Sequence, residues 1–212
     1  FTQVSGGGES VTPGIFDMTG PNAIVDWVLI ELRDPADVLH VIATRDALLR
    51  STGDVVDVDG STTVSMSADP GPYYVCVRHR NHLPVLSLNA IAFSTSQVVV
   101  DFTNGSVPTY GTNAQQAVGS VWTMWAGDAN SDRQLKYTGI GNDRDPLLVN
   151  VGSITPNNIT TGYSRDDVNM DGDDDDEAIP FPGIDYVKVC NFMSRCLTSV
   201  PGVDTGEPCT PD

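Results

Sequence analysis

The strongest constraint on how this chain can fold is an acidic run at 166–177, where eight of the twelve residues are Asp or Glu. Carboxylates at this density repel one another and cannot be buried without compensating positive charge. The chain offers little of it, with 28 Asp and Glu against 11 Lys and Arg and a formal net charge of −17. The run is therefore expected either to be solvated or to hold cations.

The same charge balance excludes whole classes of partner. Binding to nucleic acid requires a basic face, which this composition does not provide. No apolar segment approaches the ~20 residues that span a bilayer, so membrane insertion is not expected. Hydrophobic residues make up 40% of the 212 residues, enough for a packed core in one large domain or two small ones.

Two loops, at 128–132 and 167–176, place Asp or Asn side chains at positions 1, 3 and 5. In a tight loop, alternate residues direct their oxygens toward a common centre, and position 7 adds its carbonyl. Flexible loops with many oxygens favour calcium over the smaller magnesium ion. Gly172 stands where the sharp turn needs a glycine, whereas the first loop has Arg133 there.

Neither loop has a Glu at position 12, so the closing carboxylate must come from further along the chain. For the first loop it is Asp143 or Asp145, and for the second it is Asp185. Asp128 and Asp167 are 39 residues apart, and Asp145 and Asp185 are 40 residues apart. These nearly equal distances indicate two copies of one unit, at 128–151 and 167–191. The candidate ligands of two or more calcium ions are Asp128, Asn130, Asp132, Gln134, Asp143, Asp145, Asp167, Asn169, Asp171, Asp173, Asp175 and Asp185. The alternative for the first loop is a solvated turn, because Asp, Asn and Ser favour turns.

Upstream of these loops the chain reads as an all-β domain. Runs rich in β-branched and aromatic residues, bounded by turn residues, predict an antiparallel β-sandwich of Ig-like or jelly-roll type. The strand-like runs are 24–32, 38–44, 54–59, 62–67, 73–80, 85–93 and 97–102, and only 46–50 looks helical. The predicted organisation is an extended, Gly-rich arm at 1–20, the sandwich at 21–120, the calcium-binding region at 121–200 and a tail at 201–212.

Cysteine usage and the first residue point to export. The four cysteines fit neither a CxxC nor a zinc pattern and are expected to form two disulfides, with all three pairings open. They are Cys76, Cys190, Cys196 and Cys209. A chain that starts at Phe1 is expected to be a processed, secreted form, and a cytosolic protein with four thiols is the alternative. Asn104 and Asn158 lie in Asn-x-Ser/Thr triplets and are candidate glycosylation sites.

No enzymatic activity is expected. The sequence contains no nucleophile elbow, P-loop or Cys/His dyad, and its carboxylates cluster in metal-type loops. His79 and His82 lack a convincing third zinc ligand, since His40 is the only other histidine, so structural or surface roles are expected for 79–82. The three tryptophans either fill the core, which is favoured, or form a sugar-stacking platform; they are Trp27, Trp122 and Trp125.

Seven segments carry a resemblance to known proteins: WAGDAN at 125–130, KYTG at 136–139, NDRDPLLV at 142–149, DVNMDG at 167–172, VDWVLIELRDP at 25–35, GDVVDVDG at 53–60 and YVCVRHRNHL at 74–83. They resemble a family of long secreted bacterial surface proteins with dockerin-like calcium loops near the C-terminus. The chain is also similar to subunits of glycan-decorated extracellular bacterial fibrils. The resemblance implies export, a β-sandwich and metal loops, and no characterised catalysis. The second loop unit departs from it in lacking KYTG, and the cysteine-bearing end is atypical.

The expected function is a calcium-stabilised structural subunit of an extracellular fibre or surface layer. Either the N-terminal arm or the C-terminal tail can add a strand to a neighbouring copy, and the sequence does not decide between them. A head-to-tail contact that does not close propagates into a filament. The alternatives are a calcium-dependent adhesin or carbohydrate-binding module of a larger surface protein, and a dockerin-like pairing domain. The last is disfavoured, because its loops should be followed by clear amphipathic helices.

Overall fold

The computed structural model describes residues 8–150, 160–161, 165, 167 and 173–174. The chain divides into two compact units. Unit 1 comprises Phe1–His79, Pro84–Gly111 and Gln115–Thr123, and unit 2 comprises Arg80–Leu83, Thr112–Ala114 and Met124–Asp212. The division is less simple than a single boundary at 120, because two short upstream segments belong to unit 2.

Unit 1 is built on an antiparallel sheet of six strands. The strands are β1 (Ile24–Arg33), β2 (Val41–Arg50), β3 (Val55–Val56), β4 (Gly71–Arg78), β5 (Val85–Leu86) and β6 (Ile91–Phe93). Their order is β3-β2-β1-β4-β5, and β6 also pairs with β4. A separate hairpin joins β7 (Gln116–Val118) to β8 (Val121–Thr123). The all-β class is confirmed, while the sandwich stays a prediction.

The described part of unit 2 has little regular structure. It contains one short helix, α1 (Arg144–Asn150), and the paired strands β9 (Thr160–Thr161) and β10 (Asp173–Asp174). The apolar residues Leu147, Leu148 and Val149 lie in this helix. No helix among the described residues is long and apolar enough to cross a membrane.

The core of unit 1 depends on an irregularity in β1. Ile24 pairs with Arg50, but Asp26 already pairs with Leu49, so Val25 is an extra residue on its strand. Such a bulge places Ile24 on the same face as Trp27, because strand side chains otherwise alternate. The residues that cluster there are Ile15, Ile24, Trp27, Leu48 and Val56.

The N-terminal segment differs from the expected free arm. A 3-10 helix spans Ile15–Asp17, and the Ile15 side chain is buried in the core cluster, with Val11 and Phe16 packed against it. Gly60, at φ 75°, makes room for it, since a Cβ there would approach Ile15 Cδ1 to 2.7 Å. Apolar burial therefore anchors part of the 1–20 segment despite its many turn-forming residues.

Strand predictions that rested on local alternation alone were partly wrong. The helix-like 46–50 is the second half of β2, where Ala47 and Leu48 are fully buried. Neither 62–67 nor 97–102 forms a strand, and 85–93 is divided between β5 and β6. Near 62–67, Asp59 accepts the backbone N–H groups of Ser61 and Thr62, and Asp57 accepts that of Ser65. Such local bonds satisfy donors that a strand ladder would otherwise use.

Candidate metal-binding loop

The first acidic loop of unit 2 is shaped by its own side chains. Asn130 Oδ1 accepts the Asp132 N–H, and Asp132 Oδ1 accepts the Gln134 N–H, both at 2.8 Å. Ser131 and Arg133 take left-handed conformations, with φ values of 59° and 68°. Arg133 thus adopts the backbone for which a calcium loop normally uses glycine, at a cost of roughly 1–2 kcal/mol.

Asp128 carries the feature that most suggests a cation site. The residue is buried, and its Oδ2 accepts the Arg133 N–H at 3.2 Å. Its Oδ1 is also buried but has no hydrogen-bond partner among the described residues. Burial, with a further contribution from the Asp132 carboxylate, raises the pKa of Asp128. The carboxylate is thus desolvated without full compensation.

Asp143 brings a second buried carboxylate to the loop. Its Oδ1 accepts the Asn130 N–H at 3.3 Å, and its Oδ2 accepts the Lys136 N–H at 2.8 Å. Burial raises the pKa of Asp143 to about 7, and repulsion from Asp128 and Asp132 adds to the shift. The sequence left Asp143 and Asp145 as alternative closing ligands, and the structure brings Asp143 to the loop.

Asp145 belongs to the start of α1. Its N–H donates to Asn142 Oδ1 at 2.9 Å, and its exposed carboxylate accepts bonds from Asn142 Nδ2 and Arg144 Nη2. These bonds, that from Asn142 first, lower the pKa of Asp145. The Asn142 side-chain oxygen therefore accepts a backbone N–H in the first turn of the helix in the manner of an N-cap.

The second acidic segment is described only in part. Asp167 is buried, and its Oδ2 accepts a hydrogen bond from Arg80 Nη2 at 3.3 Å. Asp173 lies in β10, opposite Thr161. Outside the described residues lie Asn169, Asp171, Asp175 and Asp185. Unlike the Asp128 carboxylate, the Asp167 carboxylate has a positively charged side chain, that of Arg80, beside it.

A short segment of unit 2, Arg80–Leu83, holds both acidic segments. The Asn81 carbonyl accepts the N–H groups of Gly127 and Asp128 at 2.9 and 3.0 Å. Its Nδ2 donates to the carbonyls of Arg165 and Asp167, both at 2.8 Å. The sequence predicts a structural or surface role for this segment but no contact with the acidic loops. The segment is marked in the sequence only by a run of polar residues at the end of a predicted strand.

The described residues contain no group of three or more His, Cys, Asp or Glu side chains already arranged to hold a metal ion. Asp132 and Gln134 are exposed, so the first loop is not a preformed cage. The polar groups that fit a cation are the uncompensated Asp128 Oδ1 and the buried Asp143 carboxylate.

The remaining candidate sites are the three tryptophans and the two asparagines of the Asn-x-Ser/Thr triplets. Trp27 and Trp125 are 3% and 4% exposed, against 43% for Trp122, so the three do not form a sugar-stacking platform. Asn104 is exposed, and its Nδ2 donates to Asp101 Oδ2 at 2.6 Å. Asn158 lies outside the described residues.

Cys76 is a buried free thiol in β4. Burial, followed by the neighbouring Glu31 carboxylate, raises the pKa of Cys76 to about 11. A free Cys76 differs from the expectation of two disulfides among four cysteines. The others, Cys190, Cys196 and Cys209, lie outside the described residues.

Comparison of the chain with protein-family models, with curated proteins and with solved structures gave no match.

Proposed function

We propose that the loop at 128–134 binds calcium and thereby stabilises unit 2. The observation that carries this proposal is the buried Asp128 Oδ1, which has no hydrogen-bond partner in the part of the chain that the structure describes. An unsatisfied buried polar atom costs about 1–3 kcal/mol, and more when it is charged. The Asp132 and Asp143 carboxylates add repulsion. One divalent cation would remove both penalties, and calcium accepts the irregular, oxygen-only ligand set of such a loop.

The proposed ligands follow from the geometry of the loop. Asp128 and Asp143 supply buried carboxylates, and on calcium binding the exposed Asp132 would turn inward to supply a third. Asn130 and Gln134 complete the shell through a side-chain and a backbone oxygen. A second ion at the segment that begins with Asp167 remains part of the proposal, with Asn169, Asp171, Asp173, Asp175 and Asp185 as its other ligands.

Calcium titration by isothermal calorimetry tests the first loop. Asp128→Asn should weaken one binding event at least about tenfold, because an amide replaces the buried charge. Asp37→Asn is the matched control: it removes the same charge from an exposed side chain whose Oδ1 caps the Leu39 N–H. Wild-type protein that binds no calcium, or Asp128→Asn protein that binds it as wild type does, would contradict the proposal.

At the level of the whole protein, we propose a secreted structural subunit of an extracellular fibre or surface layer. Support comes from the family resemblance, the high negative charge and an apolar surface on the β7–β8 hairpin. Val118, Val121 and Trp122 are all exposed there, and apolar surface patches mark association sites. The nearly continuous burial of β1 requires cover on both of its faces, which favours the proposed two-layer sandwich.

The anchored N-terminus refines the proposed exchange between copies. Because Val11, Ile15 and Phe16 pack against the core cluster, exchange through the N-terminus has to involve this anchored segment or the residues before it, while the C-terminal tail stays the alternative donor. Electron microscopy and light scattering, with calcium and with a chelator, test assembly directly. Calcium-dependent polymers are expected, and protein that stays monomeric in calcium would rule out the fibre.

The exposed Trp122 also supports the second candidate, a calcium-dependent adhesin or carbohydrate-binding module. An aromatic ring open to solvent can stack on a sugar face. Trp122→Ala should abolish binding on a glycan array if the protein is an adhesin. The buried Trp27 and Trp125 are unsuitable for this role.

Glycan attached at the exposed Asn104 would be detected by peptide mass spectrometry of native material.

A further inference from the structure

The turn at 101–106 in unit 1 contains the only Asn-Gly pair in the chain, Asn104 and Gly105. Both residues are exposed, and Gly105 has a φ of 77°. A glycine has no side chain to keep its amide nitrogen away from the side-chain carbonyl carbon of the preceding asparagine. Attack by that nitrogen would close a succinimide ring, so this pair is suited to an intramolecular reaction.

Hydrogen bonds hold the Asn104 amide group against its own turn. Its Oδ1 accepts the Ser106 N–H at 2.8 Å, and its Nδ2 donates to Asp101 Oδ2 at 2.6 Å. The Ser106 N–H would stabilise the negative charge that develops on Oδ1 when Cγ is attacked, as the donors of an oxyanion hole do. The Gly105 N–H has no hydrogen-bond acceptor among the described residues, so no such bond has to break before the attack.

We propose that Asn104 is a site of spontaneous deamidation. The Gly105 nitrogen loses its proton to water and forms a bond to Asn104 Cγ. The Cγ–Nδ2 bond then breaks, and Nδ2 takes up a proton from water and leaves as ammonia. Water opens the resulting succinimide at either of its carbonyl carbons, which gives aspartate or isoaspartate at this position. The overall reaction consumes one water molecule and releases one ammonia molecule, and it needs no enzyme or cofactor.

The products would change the surface beside the β7–β8 hairpin. The Thr103 carbonyl accepts the Trp122 N–H at 2.7 Å, and a Cβ on Gly105 would lie 3.5 Å from Trp122 Nε1. A new carboxylate would face the Asp101 carboxylate where the amide now donates, and isoaspartate would add a methylene group to the main chain. Loss of the amide nitrogen also removes the atom that would carry an N-linked glycan, so deamidation and glycosylation exclude each other here.

Incubation of the full chain at pH 8, followed by peptide mass spectrometry, tests the proposal. The Asn104 peptide should convert with time into two products in which a carboxyl replaces the amide. One product should elute with the same peptide from the Asn104→Asp chain, and the other should be a substrate for isoaspartyl methyltransferase. Asn89 is the internal control, because it is also exposed but precedes Ala90, and it should remain asparagine.

Two glycine variants test the mechanism. Gly105→Ala places a methyl group beside the attacking nitrogen and should slow the conversion at least about tenfold, since displacing a reacting group by about 1 Å can have an effect of this size. Gly53→Ala is the matched control, because it makes the same substitution at an exposed glycine with a φ of 90° that follows Thr52 rather than an asparagine. It should leave the rate unchanged.

The contribution of the folded turn is measured by comparing the native chain with the chain unfolded in urea. Conversion should be at least as fast in the native chain, because only the folded turn aims the Ser106 N–H at Oδ1. Asn104 that stays intact, or that converts no faster than Asn89, would overturn the proposal. So would a rate that Gly105→Ala does not change, or conversion that is slower in the native chain than in urea. The comparisons with Asn89 and with urea use the unaltered chain and hold even if Gly105→Ala does not fold.

Discussion

His79 Nε2 lies 2.9 Å from Asp26 Oδ2 inside unit 1, with the two side chains 2% and 0% exposed. This is a buried acid–histidine pair, and it spans 53 residues of sequence. Removing one partner of such a pair leaves the other polar group in a low-dielectric setting without compensation.

We therefore expect Asp26→Asn to lower the free energy of unfolding by about 3–5 kcal/mol, as is typical when a buried pair is broken. Denaturant unfolding measures it. Asp34→Asn is the matched control, because Asp34 faces His40 in an exposed pair at 3.5 Å, and it should change stability little. Equal effects of the two substitutions would show that burial does not set the importance of the Asp26 pair.

Asp143 should make the calcium-free protein less stable as pH rises. Its pKa is about 7 in the folded chain, against an ordinary value of 3.8. A raised carboxyl pKa stabilises the folded state below pH ~4, and this contribution is lost as pH rises through ~7. It amounts to a few kcal/mol by linkage.

Calcium should reverse the trend by binding the ionised carboxylate. The rise in melting temperature on adding calcium should therefore be larger at pH 8 than at pH 5. Thermal unfolding at both pH values, with calcium and with a chelator, measures the difference. Asp143→Asn should largely remove the pH dependence that belongs to this group. A variant whose pH dependence matches that of wild type would count against the role of Asp143.

Ile15→Ala should destabilise unit 1 by about 2–4 kcal/mol, because it opens a cavity against Trp27, Leu48 and Val56. Tryptophan fluorescence during denaturant unfolding reports the loss. Ile140→Ala makes the same change at a side chain that is 97% exposed and should have almost no effect. If Ile15→Ala were equally harmless, the N-terminal segment would not be anchored through this contact.

Cys76 should be unreactive in the native protein. With a pKa of about 11, only about a thousandth of it is thiolate at pH 8, and thiolate is the reactive form. Alkylation followed by peptide mapping should label Cys76 in denaturant but hardly at all without it. Rapid native labelling, or recovery of the Cys76 peptide in a disulfide, would contradict this.

The amino-acid sequence alone determined the all-β class and the positions of β1 and β4. The run 24–32 corresponds to β1 and 73–80 to β4, because β-branched and aromatic residues reveal a strand locally. The oxygen-rich pattern at 128–134 likewise identifies the candidate loop by residue type and spacing. Both signals lie within a few neighbouring residues, which is the range over which sequence periodicity is informative.

Only the tertiary structure decided which residues from elsewhere in the chain contact these strands and this loop. It placed 46–50 in a strand by pairing it with β1, and it anchored Ile15 through side chains from β1, β2 and β3. It distinguished Asp143, buried at the loop, from Asp145, which lies in the first turn of α1 and donates its N–H to Asn142. It also joined Asn81 to Asp167 across 86 residues. Local propensity contains no information about such contacts, because burial and distant hydrogen bonds exist only once the chain has folded.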